Sequence, residues 1–139
     1  MSFTFPKKEK LKSKKLIKQL FVDGKNISQY PIKLIYLKNT GQKAFIQAGV
    51  AVPKKNFKSA VKRNHIKRLL RESYRLNKGL VDNNTEDTFA LLFLYIGKET
   101  LPFDVVQQKI ILLLRKFNQR IQRDQPEKNM LLTNPNRNK

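Results

Sequence analysis

The sequence predicts an α/β (α+β) fold in which helices pack on a mixed sheet. The chain has 139 residues, and 40% of them are apolar, which is enough for one compact domain with one core. Segments with helical apolar spacing alternate with strand-like segments, in the order helix, two or three strands, helix, strand, helix. No internal repeat is visible. We therefore expect one domain over residues 1–124, followed by a disordered polar tail over residues 125–139.

The N-terminal part of the chain predicts one helix. Residues 1–10, which include several lysines, are expected to be mobile. Ser13 is a suitable N-cap for a helix that continues to Phe21, because its hydroxyl can accept a hydrogen bond from a free backbone N–H. Gly24 then ends the helix, since glycine tolerates the left-handed backbone common at helix C-termini.

Two strands are predicted next, joined as a hairpin. Residues 30–38 alternate in polarity, with Leu34 and Tyr36 on the same side. Residues 39–42 have the composition of a turn, and residues 43–52 alternate again. We therefore expect residues 43–52 to return antiparallel to residues 30–38.

The remaining elements are a long helix, a buried strand and a final helix. The long helix covers about residues 59–77. Residues 88–96 are almost entirely apolar, which is typical of a strand that is covered on both faces. Pro102 suits the first turn of the last helix, whose apolar stripe continues to Ile121.

The charge of the chain points to an anionic partner. There are 30 Lys and Arg against 10 Asp and Glu, a formal net charge of +20. Such a charge repels itself in the folded state, so nucleic acid, an anionic membrane surface or an acidic protein is the expected partner. The chain has no cysteine, which excludes disulfides and thiolate chemistry and is compatible with a cytoplasmic location. No apolar run reaches the roughly 18 residues of a membrane span, and no secretory signal is evident.

The helix over residues 59–77 has two different faces. Its apolar residues cluster on one side, and the opposite side is basic with a single acid, Glu72, among the cations. Like charges at i, i+4 repel by a few tenths of a kcal/mol per pair, a cost that a bound polyanion would offset. The alternative is a basic helix that only aids solubility. The candidate nucleic-acid contacts on this helix and the preceding loop are Lys54, Lys55, Lys62, Arg63, Asn64, Lys67, Arg68, Arg71 and Arg75.

No residue pattern predicts catalysis by side chains. His65 is the single histidine, and neither a nucleophile nor a carboxylate stands at a recognisable spacing from it. No metal-ligand spacing is present, so we predict no metal site on the protein.

The segment from Lys62 to Arg75 resembles the Arg-Asn-Arg helix of the bacterial ribonuclease P protein subunit. The preceding run from Gly49 to Lys55 resembles the strand and Lys-Lys loop that lead into that helix, and the helix that stops at Gly24 also fits. The resemblance implies a two-layer sandwich of four strands and three helices, in the order αβββαβα, with a left-handed crossover around the basic helix. It departs at His65, where the family has its second arginine, and at Ile17, where the family often has an aromatic residue.

The resemblance also implies a function. The protein would assist a catalytic RNA that uses Mg²⁺ to cleave the 5′ leader from precursor tRNA, and it would need no protein partner. The basic helix would contact the ribonuclease P RNA. A cleft between the first helix and the sheet would hold the single-stranded leader of precursor tRNA, lined by Ile17, Phe21, Leu34 and Tyr36.

Two other functions remain open from the residues. One is a structural protein bound to ribosomal RNA, which would share the charge and the architecture. The other is a protein of the membrane surface, because residues 7–18 carry seven lysines and one Glu.

Overall fold

The computed structural model describes residues 4–39, 45–81 and 87–123. These contain three α-helices, four strands and two short 3₁₀ turns at Lys7–Glu9 and Lys78–Leu80. The elements are α1 (Lys14–Asp23), β1 (Lys25–Gln29), β2 (Ile32–Lys38), β3 (Ile46–Ala51), α2 (Ala60–Asn77), β4 (Phe89–Tyr95) and α3 (Phe103–Arg123). The predicted order αβββαβα is confirmed. The predicted tail lies outside the described residues.

The four strands form one mixed sheet in the order β1-β2-β4-β3. β2 pairs antiparallel with both β1 and β4, whereas β3 pairs parallel with β4. The predicted hairpin between residues 30–38 and 43–52 is therefore wrong. The hairpin is formed by β1 and β2 through the turn at Tyr30-Pro31, and α2 provides the crossover that a parallel pair requires. The left hand of that crossover stays a prediction.

The main core lies between the sheet and the helices α2 and α3. Ile66 and Leu70 of α2 are fully buried there, together with Phe93 of β4 and Leu113 and Phe117 of α3. Some aromatic rings of this core meet edge-on, as Phe117 does with Phe89 at a centroid distance of 5.3 Å, and others are tilted. This core fixes which side of α2 faces solvent.

The other face of the sheet is covered by α1. Ser13 caps the helix by accepting a hydrogen bond from the Leu16 N–H at 3.2 Å, as predicted. Leu16 and Leu20 then pack on Ile35 and Leu92 in a smaller second core. Because this core is small, part of the sheet face beside α1 remains accessible.

Residues 4–11 form an N-terminal strap along β3 and α2. The Leu11 N–H donates to the Ala48 carbonyl at 2.9 Å, so the strap lies against β3 at the edge of the sheet. Lys78 binds the strap at two further points, the Glu9 carboxylate at 2.6 Å and the Thr4 carbonyl. We expected residues 1–10 to be mobile. In the structure, residues 4–10 pack against the domain because side chains far away in sequence contact them, and the expected mobility stays a prediction.

Candidate RNA-binding site

The exposed face of α2 is set by the buried one. Ser59 caps the helix through the Lys62 N–H at 3.3 Å. Ile66, Leu70 and Tyr74 are at most 3% exposed, and they turn the remaining sides of the helix to solvent. The helix therefore presents its polar side chains at i, i+3 and i+4 on one continuous surface.

Four cations of this surface have no acidic partner among the described residues. Arg68 and Arg71 are exposed, Lys67 is half-buried, and Lys62 is exposed near the start of the helix. None of these four cations takes part in the salt bridges found among the described residues. Asn64 is exposed beside these cations. The structure thus brings together most of the predicted contact residues, and their charges are available to a ligand.

Two of the predicted RNA contacts, Arg63 and Arg75, form hydrogen bonds or an ion pair within the protein. The Arg63 Nη1 donates to the carbonyls of Phe57, at 2.7 Å, and Lys58, at 3.0 Å. The Arg75 guanidinium pairs with Glu72, with Nη2 at 2.9 Å from Oε1. Arg63 therefore holds the loop before α2 in place, and the pair at Arg75 reduces the net charge at the end of the basic face.

The predicted lysines of the loop before α2 are exposed. Lys54 and Lys55 follow the end of β3 after Val52 and Pro53. Asn56 ties this loop to the end of β4, because its side-chain amide donates to the Ile96 carbonyl at 3.3 Å. The loop is thereby held at the end of the sheet nearest the start of α2, and its lysines extend the basic surface.

A groove of about 420 Å³ runs beside α2. It is lined by Phe5, Asn64, Arg68, Arg71, Glu72 and Arg75. Asn64 and the three arginines were predicted as contacts from the helix pattern, whereas Glu72 and Phe5 were not. No sequence signal connects a phenylalanine in the strap with a helix about sixty residues later, because the contact exists only after folding.

Burial keeps one phenol near this groove neutral. Tyr74 packs on the ring of Phe5, with the centroids 5.5 Å apart. Burial, with a smaller contribution from the Glu9 carboxylate, raises the pKa of the Tyr74 hydroxyl above its ordinary value of 10.0. Tyr74 therefore adds no negative charge to the basic surface at neutral pH.

The four residues predicted to line a leader cleft lie on two different faces of the sheet. Ile17 is half-buried and Phe21 is 54% exposed, both on α1. Leu34 and Tyr36 are at most 3% exposed and lie in the core on the opposite face of the sheet. The Tyr36 ring meets Phe117 edge-on at 5.0 Å. Successive strand residues point to opposite faces, so the residues of β2 that face α1 are the odd-numbered ones.

A row of three residues lies on the face that α1 partly covers. Lys33 of β2 and Ala51 of β3 are both register partners of Leu94, which lies in β4 between them. All three are half-buried, and Ala51 and Leu94 pack against the small core under α1. This row is the surface that the sequence prediction missed, although the same alternation of β2 contained the signal.

The apolar residues near the basic N-terminus are committed to packing. Leu11 is 7% exposed and Leu16 is 8% exposed. In the described ranges, no helix is both long and apolar enough to cross a membrane. Nor do three His, Asp or Glu side chains of these ranges lie close enough to hold a metal ion.

Comparison with known proteins identifies the family. Residues 5–118 match the model of the family described as Ribonuclease P. The chain belongs to the ribonuclease P protein family. The ribonuclease P protein component of Porphyromonas gingivalis is 34% identical over 111 residues, which cover 77% of this chain and 81% of that protein. The protein component of Chlorobium phaeobacteroides is 35% identical over 125 residues, covering 80% and 86% of the two chains.

Solved structures of ribonuclease P proteins share the fold. The protein of Thermotoga maritima aligns with a TM-score of 0.65 at 26% identity, covering 78% of this chain and 96% of that one. The protein of Staphylococcus aureus aligns with a TM-score of 0.63 at 17% identity, a likeness of fold alone, over 78% and 94% of the two chains. The predicted fold class and family are confirmed.

The family also decides between the functions left open by the residues. This ribonuclease P protein is a protein component of the ribonuclease P holoenzyme, which processes tRNA, and the comparisons do not support the ribosomal alternative. His65, the departure from the Arg-Asn-Arg motif, is exposed on α2.

Proposed function

We propose that the exposed face of α2 binds the RNA subunit of ribonuclease P through its phosphates. The observation that carries this proposal is the row of Lys67, Arg68 and Arg71, none of which has an acidic partner among the described residues. Adjacent unpaired cations repel one another, and RNA phosphates would relieve that repulsion. Arginine adds bidentate hydrogen bonds to phosphate oxygens. A partner of this kind also places the protein in the cytoplasm.

The Mg²⁺ of the enzyme belongs, in this proposal, to the RNA. The described residues of the protein offer no cluster of carboxylates or histidines for a metal ion. The protein contributes by neutralising phosphates, which lowers the Mg²⁺ concentration that the RNA needs. No proton transfer or nucleophilic attack is assigned to its side chains.

We further propose that the accessible surface beside α1 holds the single-stranded 5′ leader of precursor tRNA. Phe21 is 54% exposed, so its ring can serve as a platform on which a base stacks. Lys33 lies on the same sheet face as Ile35 and can reach a phosphate. Ile17 adds apolar surface but no ring. A leader bound here would give precursor tRNA an advantage over mature tRNA.

The RNA contact is tested by reconstitution with a bacterial ribonuclease P RNA at low Mg²⁺. An Arg68→Ala/Arg71→Ala variant should lose most of the stimulation of precursor cleavage. The slope of log affinity against log salt should become shallower by roughly 0.7–0.9 for each phosphate contact removed. The matched control is Arg115→Ala/Lys116→Ala, which removes two exposed cations from α3. Equal loss in both double variants, or no loss in either, would contradict the proposal.

The leader contact is tested by the ratio of affinities for precursor and mature tRNA. Phe21→Leu should lower this ratio about fivefold or more, because base–aromatic stacking contributes about 1–3 kcal/mol. Val22→Ala changes the neighbouring residue of α1, which is 80% exposed, and should leave the ratio unchanged. A Phe21→Leu ratio equal to that of the unsubstituted protein would exclude Phe21 as a leader contact.

A further inference from the structure

We infer that the groove beside α2 is a pocket for one unpaired nucleotide of the RNA, whose base stacks on Phe5. This inference rests on the proposed contact between α2 and RNA, and it adds a residue and a ligand class to it. The bound group would be a nucleotide that leaves its helix, with its phosphate on Arg68 and Arg71.

The shape of the groove favours a nucleotide over a plain phosphate backbone. Phosphates of a regular RNA helix lie on its surface and can be bound by a flat row of cations. The groove has a volume of about 420 Å³, which is in the range of pockets that enclose small molecules, about 300–1,000 Å³. Its lining includes both Arg68 and Arg71 and the aromatic residue Phe5. A ring close to cations is an arrangement that can bind an unstacked base together with its phosphate.

The ring of Phe5 is held by two residues that do not line the groove. Tyr74 touches it with a 59° tilt, and the Lys10 Nζ lies 5.7 Å from its centroid. Both residues line a separate neighbouring cavity of about 160 Å³ and do not line the groove. Because Phe5 also lines the groove, part of it remains accessible to a ligand there. Because the ring is already packed, a stacking base loses little of its affinity to ordering the side chain.

The strap that carries Phe5 is itself anchored. The Leu11 N–H donates to the Ala48 carbonyl at one end, and Lys78 binds Glu9 within the strap and Thr4 at the other end. Phe5 therefore lies at a defined position although it is near the N-terminus. A platform on a fixed segment suits a site that must accept one base in one place.

Glu72 gives the pocket a preference among bases. Its carboxylate lines the groove, and both oxygens accept hydrogen bonds from Arg75, which holds it in place. A carboxylate accepts hydrogen bonds from the exocyclic amino groups of bases, whereas the one donor of uracil, N3–H, lies between two carbonyl oxygens that repel a carboxylate. The pocket therefore suits adenine, guanine or cytosine, which carry an exocyclic amino group, over uracil.

The test is binding of the full-length protein to ribonuclease P RNA over a series of salt concentrations. Phe5→Leu keeps an apolar anchor against Tyr74 and removes the ring, and it should weaken binding about tenfold, within the range for loss of one stacked base. The salt slope should not change, because no phosphate contact is removed. Phe5→Tyr should bind as the unsubstituted protein does. Phe45→Leu is the matched control, since Phe45 is also half-buried and meets another ring, that of Phe89, but does not line the groove.

The possible outcomes separate this inference from the proposed function. If Phe5→Leu binds as tightly as Phe45→Leu while Arg68→Ala/Arg71→Ala binds weakly, the pocket is refuted and the RNA contact of α2 stands. If neither Phe5→Leu nor the arginine variant weakens binding, both fail. If Phe5→Leu lowers the melting temperature and Phe5→Tyr does not restore the affinity, Phe5 is only an anchor of the strap.

A second measurement identifies the base. Replacement of Phe5 by a photoreactive benzoylphenylalanine should give a crosslink to one unpaired adenine, guanine or cytosine of the ribonuclease P RNA. A crosslink to uracil would overturn the preference assigned to Glu72. Crosslinks only to base-paired nucleotides, or none, would overturn the pocket.

Discussion

Replacement of Arg63 should affect the stability of the protein more than its affinity for RNA. The Arg63 Nη1 bridges the carbonyls of Phe57 and Lys58, at 2.7 and 3.0 Å. One of these bonds is partly buried and the other is exposed, so the first contributes most of the energy. Hydrogen bonds to charged groups contribute about 1.5–3 kcal/mol, and we expect Arg63→Ala to cost about 1.5 kcal/mol. For a domain of this size, that loss lowers the melting temperature by about 6 °C.

The assay pairs thermal unfolding with RNA binding over a salt series. Arg63→Ala should lower the melting temperature and leave the salt slope unchanged. Arg68→Ala should leave the melting temperature unchanged and make the salt slope shallower, because Arg68 is exposed and has no acidic partner among the described residues. The melting temperature of Arg63→Lys should lie between those of Arg63→Ala and the unsubstituted protein, since an ammonium group lacks the planar fork of a guanidinium. An Arg63→Ala variant with an unchanged melting temperature and a shallower salt slope would refute the reasoning and make Arg63 an RNA contact.

Three further predictions concern α1, Tyr74 and the leader surface. Gly24→Ala should lower the free energy of unfolding by about 1–3 kcal/mol in urea titrations, because its Cβ would lie 2.3 Å from the Leu20 carbonyl oxygen and 2.6 Å from Ile35 Cγ2; an unchanged midpoint would contradict this contact. Because the pKa of Tyr74 is raised in the fold, the contribution of its neutral phenol to stability is fully present below the ordinary pKa of 10.0. This contribution is lost as the pH rises further. Melting temperatures should therefore fall less steeply above pH 10 in Tyr74→Phe, and parallel curves would exclude this cause. Ile17→Phe should raise the ratio of precursor to mature tRNA affinity about fivefold or more through stacking, and an unchanged ratio would remove Ile17 from the leader surface.

Local sequence patterns were sufficient for the helices and the central strand. Residues 59–77 were predicted as one helix, and α2 covers Ala60–Asn77 with Ser59 as its cap. Its amphipathic pattern also predicted which side would be basic. These features depend on neighbours within one or two turns, so the information is contained in a short stretch of sequence.

Local sequence patterns could not predict which strands pair with one another. β1 has a single buried residue, Ile27, so it lacks the alternation by which strands are recognised. The stretch over residues 39–42 has turn-like residues, which favoured a hairpin between its flanking strands. The apolar β4 instead lies between β2 and β3, where both of its faces are covered.

Assignment of the site residues failed where it needed a choice of sheet face. Leu34 and Tyr36 were correctly placed together on one side of β2, but the pattern does not say which helix covers that side. Phe5 and Glu9 were missed because their partners lie far away in sequence, in and just after α2. In each case, long-range packing decided the outcome.

The strap has a consequence for how copies of this protein behave towards one another. β3 is an outer strand of the sheet, and an uncovered strand of this kind can recruit the same strand of a second molecule. The hydrogen bond from Leu11 to Ala48 covers part of this edge strand. At the opposite edge of the sheet, in β1, Arg120 donates to the Asn26 carbonyl at 3.0 Å. A chain shortened by its first eleven residues would expose β3 and should aggregate at concentrations at which the intact protein stays monodisperse.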